Sequence, residues 1–151
     1  MKLRCILAAL FGLTLAGCNK DDGMSQAEKD QVLIEDYLAD NNITAEEHES
    51  GLYYRIDNTG SGAMPTISDE VEVRYKGYLL DGTVFDQTQG NSTIEFPLAN
   101  LIPAWQIGIP LISSGGSITL FSPSSLAYGN RRVGDIPANS VLVFEIDLVS
   151  F

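Results

Sequence analysis

Residues 71 to 89, VEVRYKGYLLDGTVFDQTQ, constrain the fold more than any other stretch of the chain. Val71, Val73, Tyr75 and Leu79 fall on one face of an extended strand, and Glu72, Arg74 and Lys76 fall on the other. That alternation marks a strand with one buried side, because successive Cβ atoms point to opposite faces. Asp81-Gly82 follows as a turn between two alternating runs, with glycine free to take the positive φ that a tight hairpin needs. Just beyond the turn, Phe85 stands beside Asp86, a few residues after the inward-facing Tyr75. A large aromatic next to a carboxylate is more than a packing pattern calls for.

The rest of the chain from residue 52 onward is predominantly β in pattern. Strands are expected near 52–57, 70–79, 83–87, 93–97, 116–121 and 140–150, the last sending Leu142, Phe144, Ile146 and Leu148 inward against Glu145 and Asp147 outward. NLIPAWQIGI alone interrupts this with helical spacing, since Leu101, Ile102 and Trp105 would share a face. These elements make an α+β fold, a curved antiparallel sheet wrapped on one short α-helix. Upstream, SQAEKDQVLIEDYLADN opens with Ser25 and Glu28 at capping-box spacing and then spaces Leu33, Ile34, Tyr37 and Leu38 helically. It predicts an amphipathic helix that packs one narrow stripe on the domain or on a second copy. ITAEEHES, with Thr44 and Glu47 again at capping spacing, predicts one further helical turn. DNTGSGAMPTISD is a loop.

At 151 residues the chain holds one domain with a single core. Its first 17 residues read as a secretory signal: Lys2 and Arg4, an apolar run from Cys5 to Leu15, then Ala16 and Gly17 before Cys18. The apolar stretch falls well short of the ~20 residues of a membrane span. Leu15-Ala16-Gly17-Cys18 resembles the lipobox of bacterial lipoproteins, in which the cysteine carries diacylglycerol and becomes the mature N-terminus. Asn19, Lys20, Asp21 and Asp22 resemble a surface-export tail, and read equally as a solvated tether. The expected organisation is a signal at 1–17, a lipid-anchored tether and helix at 18–50, and a folded domain at 51–151. Neither Cys5 nor Cys18 then reaches the folded domain, so no disulfide or cysteine metal site is expected there.

Loss of Lys2 and Arg4 takes the formal charge from −11 to −13. Such an acidic surface argues against nucleic acid and against adsorption to anionic lipid, and leaves acyl chains as the membrane attachment. The only histidine, His48, lies in a polar linker, so no nucleophile triad is in view. GSG at 60–62 and SGG at 114–116 lack the strand-to-helix context and the following lysine of a phosphate cradle. Scattered acidic residues without ligand spacing read as solvated charge. What stands out is aromatics near turns: Tyr75, Phe85, Trp105, Tyr128 and Phe144.

YKGYLLDGTVFD, LIPAW and LAYGNRRVGDIPANSVLVFEI, taken together over roughly residues 66–150, closely resemble the FKBP family of peptidyl-prolyl cis-trans isomerases. The resemblance implies a five- or six-stranded antiparallel half-barrel around a short helix, and a proline pocket floored by Trp105. It assigns Tyr75, Phe85, Leu101, Ile102 and Phe144 to the pocket wall and Asp86 to its edge as a polar orienter. Tyr128, within Leu126-Ala127-Tyr128-Gly129, matches the tyrosine that hydrogen-bonds substrate, with Ala127 beside it, and Ile136 matches a loop residue closing over it. Ile94 stands where the family usually has another phenylalanine, with Phe96 on the same face by alternation. The family's substrates are X-Pro peptide bonds, here in exported or surface proteins, and no metal or cofactor is required. Ala104 replaces the family's usual glycine, Pro110 should stop or kink the short helix, and Phe121-Ser122-Pro123 replaces an aliphatic-proline opening of the tyrosine loop. Arg131 and Arg132 read as ordinary exposed arginines. Two other readings use the same fold without turnover: a module that binds or chaperones proline-containing segments, and a structural part of a surface machine docked through the N-terminal helix.

Overall fold

The computed structural model describes residues 23–151; Cys5, Cys18 and the signal lie outside the described residues. Helix α1 spans Gln26–Asp40. Its start is the capping box expected at Ser25: the Glu28 backbone N–H donates to Ser25 Oγ, and the Ser25 backbone N–H donates to Glu28 Oε2 at 2.7 Å. The sheet is built from β1 Glu46–Glu47, β2 Tyr53–Asn58, β3 Glu70–Leu79, β4 Val84–Gln87, β5 Ile94–Pro97, β6 Ser117–Ser122 and β7 Leu142–Ser150. All pairings are antiparallel, in the order β1-β2-β6-β7-β3-β4, with β5 also on β3. The six expected strands are present to within two residues at each end. The further helical turn expected over ITAEEHES is instead β1, whose Glu46 and Glu47 pair with Tyr54 and Tyr53. Edge pairing to β2 supplies backbone partners that a lone helical turn lacks.

Helix α2 spans Pro103–Gly108, with proline at its first turn where its missing N–H leaves no bond unmade. Pro110 converts the continuation into a 3-10 turn over Ile109–Leu111. Below α2 lies the main core, formed by Val71, Val73, Trp105, Ile118, Leu120 and the inward residues Leu142, Phe144, Ile146 and Leu148 of β7. Gly108 allows the helix this close, since a Cβ there would lie 2.7 Å from Leu120 Cδ1.

A second core covers the opposite face of the sheet. Ile34 and Leu38 of α1 pack on Tyr53, Phe121, Val141 and Val143. The alternation of β7 is therefore absent over its first residues, where Val143 is as buried as Leu142. Of the four apolar residues at helical spacing, Leu33 is the exception and remains exposed. Burying Ile34 and Leu38 supplies roughly 1.5–3 kcal/mol each, against the few tenths of an intrahelical pair such as Gln31–Glu35. Packing on the domain, not helix propensity, holds α1 in place. Tyr53 Oη–H adds a bond to Glu35 at 2.8 Å. Hydrogen bonds from Gln31 and Tyr53 hold the Glu35 carboxyl below its usual range. No helix among the described residues is long and apolar enough to cross a membrane.

Candidate active site

The middle of β3, the β4 hairpin arm, β5, β7, the 98–105 segment and the 126–128 turn surround a cavity of about 220 Å³ lined by Tyr75, Phe85, Asp86, Phe96, Leu101, Ile102, Trp105, Tyr128 and Phe144. That is below the roughly 300–1,000 Å³ of sites for drug-sized ligands, and suits a single small ring or side chain.

The pairing of Phe85 with Asp86 is explained by the β3–β4 register. Gly77 pairs with Asp86 and Tyr78 with Val84, so Phe85 is the extra residue of a β-bulge. In a regular strand Phe85 and Asp86 would face opposite sides; the bulge re-aims them so that both line the cavity. Gly77 makes the room, because a Cβ there would meet Phe85 Cε2 and Cζ at 2.7 Å. The hairpin turn closes through Gly82 N–H to the Leu79 carbonyl at 2.9 Å, with Gly82 at φ +87° as its sequence required.

Trp105 forms the floor. Its indole meets Tyr75, Phe144 and Phe96 edge to face, with centroids 5.1, 5.6 and 6.3 Å away, and Phe85 meets Phe144 in the same way at 5.7 Å. Each such pair contributes about 0.5–1.5 kcal/mol beyond area burial, and the rings brace one another in fixed orientations. The indole Nε1 is buried without a hydrogen-bond acceptor among the described residues. The segment before α2 is held by Gln106, whose Nε2 donates to the Leu101 carbonyl at 2.7 Å and the Ala99 carbonyl at 2.9 Å. The Ile102 carbonyl accepts from Trp105 and Gln106, starting α2.

The rim is polar. Tyr75 Oη–H donates to Asp86 Oδ2 at 2.6 Å, the short distance of a bond to a charged acceptor. Burial and this bond push the Tyr75 phenol well above its ordinary range, so it stays a donor and fixes the carboxylate. Burial first, and then the Asp86 charge, also push the Tyr128 phenol up. Both hydroxyls therefore remain protonated throughout the neutral range.

Three residues assigned by resemblance stand apart from the cavity lining. Ile94 opens the edge strand β5 and is 40% exposed, while Phe96 on the same strand lines the cavity in ring contact with Tyr75 and Trp105. Ile136 is 5% exposed and packs in the main core, bridging to Val133 across the loop. Ala127 is half-buried against the same core. Two residues that anchor backbone near the cavity, Gln106 at Leu101 and Asp30 at Ser124, were absent from the sequence expectations. Gln106 gave no signal, as a polar residue in a short helix. Asp30 did give one in its spacing, four residues before Ile34 on the apolar stripe of α1, and the structure buries it fully.

The FKBP-type peptidyl-prolyl cis-trans isomerase family matches residues 62–149. FKBP-type peptidyl-prolyl cis-trans isomerase FkpA of Aeromonas hydrophila is 41% identical over 146 residues, 95% of this chain and 53% of its own length. Outer membrane protein MIP of Legionella longbeachae is 44% identical over 103 residues, 67% of this chain and 44% of its own. The chain thus spans about half the length of the curated relatives it matches. Among solved structures, FkpA from Escherichia coli superposes with a TM-score of 0.72 at 36% identity, over 82% of this chain and 59% of that one. A peptidyl-prolyl cis-trans isomerase from Pseudomonas syringae gives 0.69 at 30% identity, over 84% and 96%. The bulged hairpin, the aromatic floor and the tyrosine turn all lie within the matched region, and the chain belongs to the FKBP-type peptidyl-prolyl cis-trans isomerase family.

Proposed function

We propose that this chain accelerates cis–trans rotation about X-Pro bonds of exported or surface polypeptides, with Trp105 as the seat of the proline ring. The observation that carries this reading is the small aromatic cavity with a fixed donor-acceptor rim, Tyr75–Asp86 and Tyr128, at its mouth. Amide rotation faces a barrier of roughly 18–20 kcal/mol because the planar bond has partial double-bond character. The twisted transition state loses that resonance, and its carbonyl carries less negative charge. A dry aromatic surround therefore disfavours the planar form relative to the twisted one. Tyr128 Oη–H and the Ile102 backbone N–H hold the flanking chain in the twisted geometry, and binding that is stronger there than in the planar state lowers the barrier. Asp86 orients and does not transfer a proton. Ala127 and Ile136 support the tyrosine turn and its loop from the core side. The chemistry needs no covalent step, metal or cofactor.

A protease-coupled assay on an X-Pro peptide, with a soluble form beginning at Asn19, tests the reading. The rate is expected well above the spontaneous one, with Tyr128→Phe lowering kcat/KM by about tenfold, the scale of one hydrogen bond at about 1.5 kcal/mol. A folded protein with no acceleration would sink the enzyme reading and leave a proline-binding module.

The envelope location in this reading rests on the signal and the Leu15-Ala16-Gly17-Cys18 stretch, and on the outer-membrane name of one relative. A diacylated Cys18 buries enough CH₂ groups, at about 0.8 kcal/mol each, for stable anchoring. Cys18→Ser is expected to move the protein from the membrane to the soluble fraction of fractionated cells. Retention of that variant in the membrane would rule the lipid anchor out.

A further inference from the structure

We propose that Asp30 of α1 is a positioning residue for Tyr128, so that the N-terminal helix is a working part of the active site. Asp30 is 0% exposed, and its carboxylate is fully engaged. Oδ1 accepts from Gln26 Nε2 at 2.7 Å, and Oδ2 accepts from the Ser124 backbone N–H at 2.8 Å and from Ser124 Oγ–H at 2.6 Å. Ser124 opens the 3-10 turn Ser124–Leu126, which leads directly into Tyr128. Its carbonyl in turn accepts from Ala127 N–H at 3.0 Å and Gly129 N–H at 2.8 Å, the two residues flanking Tyr128. One buried carboxylate thus holds the residue that pins the tyrosine from both sides.

Packing alone does not call for an aspartate there. Position 30 continues the stripe of Ile34 and Leu38, and an aliphatic side chain would bury area without removing a charge from water. What the carboxylate adds is direction: three donors fixed on two oxygens set the turn in one place relative to the helix. The helix lies outside residues 62–149, so this contact is contributed by the segment that precedes the family's own domain.

The proposal rests on the isomerase reading, and its test separates the two. Asp30→Ala and Asp30→Asn are made in the purified full chain and in a Tyr128→Phe background, with the exposed Asp36→Asn as a control. Amide hydrogen exchange at Ala127 and Gly129 is read beside kcat/KM on an X-Pro peptide. Asp30→Ala is expected to speed exchange at those two amides by more than about tenfold while β7 amides keep their protection. It is expected to lower kcat/KM by about tenfold, the scale of a misplaced group. In the Tyr128→Phe background the same change is expected to cost less than about twofold, because the residue it acts through is already disabled. Asp30→Asn, which keeps an acceptor for Ser124, should recover most of both. Should Asp30→Ala fail to fold, Ser124→Ala removes one donor only and is read by the same cycle. Unchanged exchange at Ala127 and Gly129, loosening of the whole sheet, or an undiminished loss beside Tyr128→Phe would each overturn the assignment. A wild type without turnover would overturn the isomerase reading and the catalytic purpose of the clamp together, while exchange would still report whether the clamp exists.

Discussion

Trp105→Ala is expected to lower unfolding stability by about 3–5 kcal/mol and kcat/KM by more than about 100-fold. The stability term follows from a 4% exposed indole that meets three other rings edge to face; its removal leaves Tyr75, Phe96 and Phe144 facing a hole. The activity term has a separate cause. Without the floor the cavity admits water to the place proposed for the proline ring, and the dry surround proposed to favour the twisted amide is gone. Urea unfolding reads the first, since a change of this size shifts the midpoint by more than about 1 M at the usual slope of about 1–3 kcal/mol per molar. Domains of this kind hold about 5–15 kcal/mol, so the variant stays folded under assay conditions only narrowly, and Trp105→Phe serves as the milder partner. A folded Trp105→Ala within about threefold of wild-type kcat/KM would show that the ring does not seat the substrate.

Gly77→Ala adds a single methyl group and is expected to cost about 1–3 kcal/mol, the usual penalty for overpacking, with kcat/KM down by more than about tenfold. The new Cβ would stand 2.7 Å from two atoms of the Phe85 ring and 3.1 Å from Phe144 Cε1. Phe144 backs Phe85 at 5.7 Å, so the ring has no retreat except into the cavity or out of the site. The cause is checked by compensation. Phe85→Leu in the Gly77→Ala background should recover stability relative to Gly77→Ala alone, although Phe85→Leu by itself removes packing. A double variant no more stable than the sum of the two single effects would place the damage in the β3 backbone instead.

Six of the seven strands and both helices were legible because burial on one face leaves a period that survives in the sequence, as in Val71, Val73 and Tyr75 or in Leu142 through Leu148, whereas the two-residue β1 is exposed and carries no such period. Neither register nor a two-sided burial leaves such a mark. The Phe85 bulge depends on the pairings of Gly77 with Asp86 and Tyr78 with Val84, and alternation cannot show which strand carries the extra residue. Val143 and Phe121 become interior only because α1 covers the far face of the sheet, a tertiary event. Ile94 and Phe96 share a face, and what separates them is that Ile94 opens an edge strand while the longer Phe96 ring reaches Trp105. The site residues were named by likeness to a family. The sequence alone went no further than a cluster of aromatics near turns.

Strand β7 lies between β6 and β3, joining β1-β2-β6 on one side to β3, β4 and β5 on the other. Before it docks, the domain is two ribbons with no hydrogen bond between them across the sheet. The pairing of β7 with β3, which runs from Glu72 with Ser150 to Leu79 with Leu142, closes a long loop, so the bonds that unite the two ribbons carry a large entropic cost. Phe144, a wall of the cavity, sits on this strand. A protein proposed to quicken the slow steps of other chains therefore has no catalytic pocket of its own until the last strand of its fold is in place.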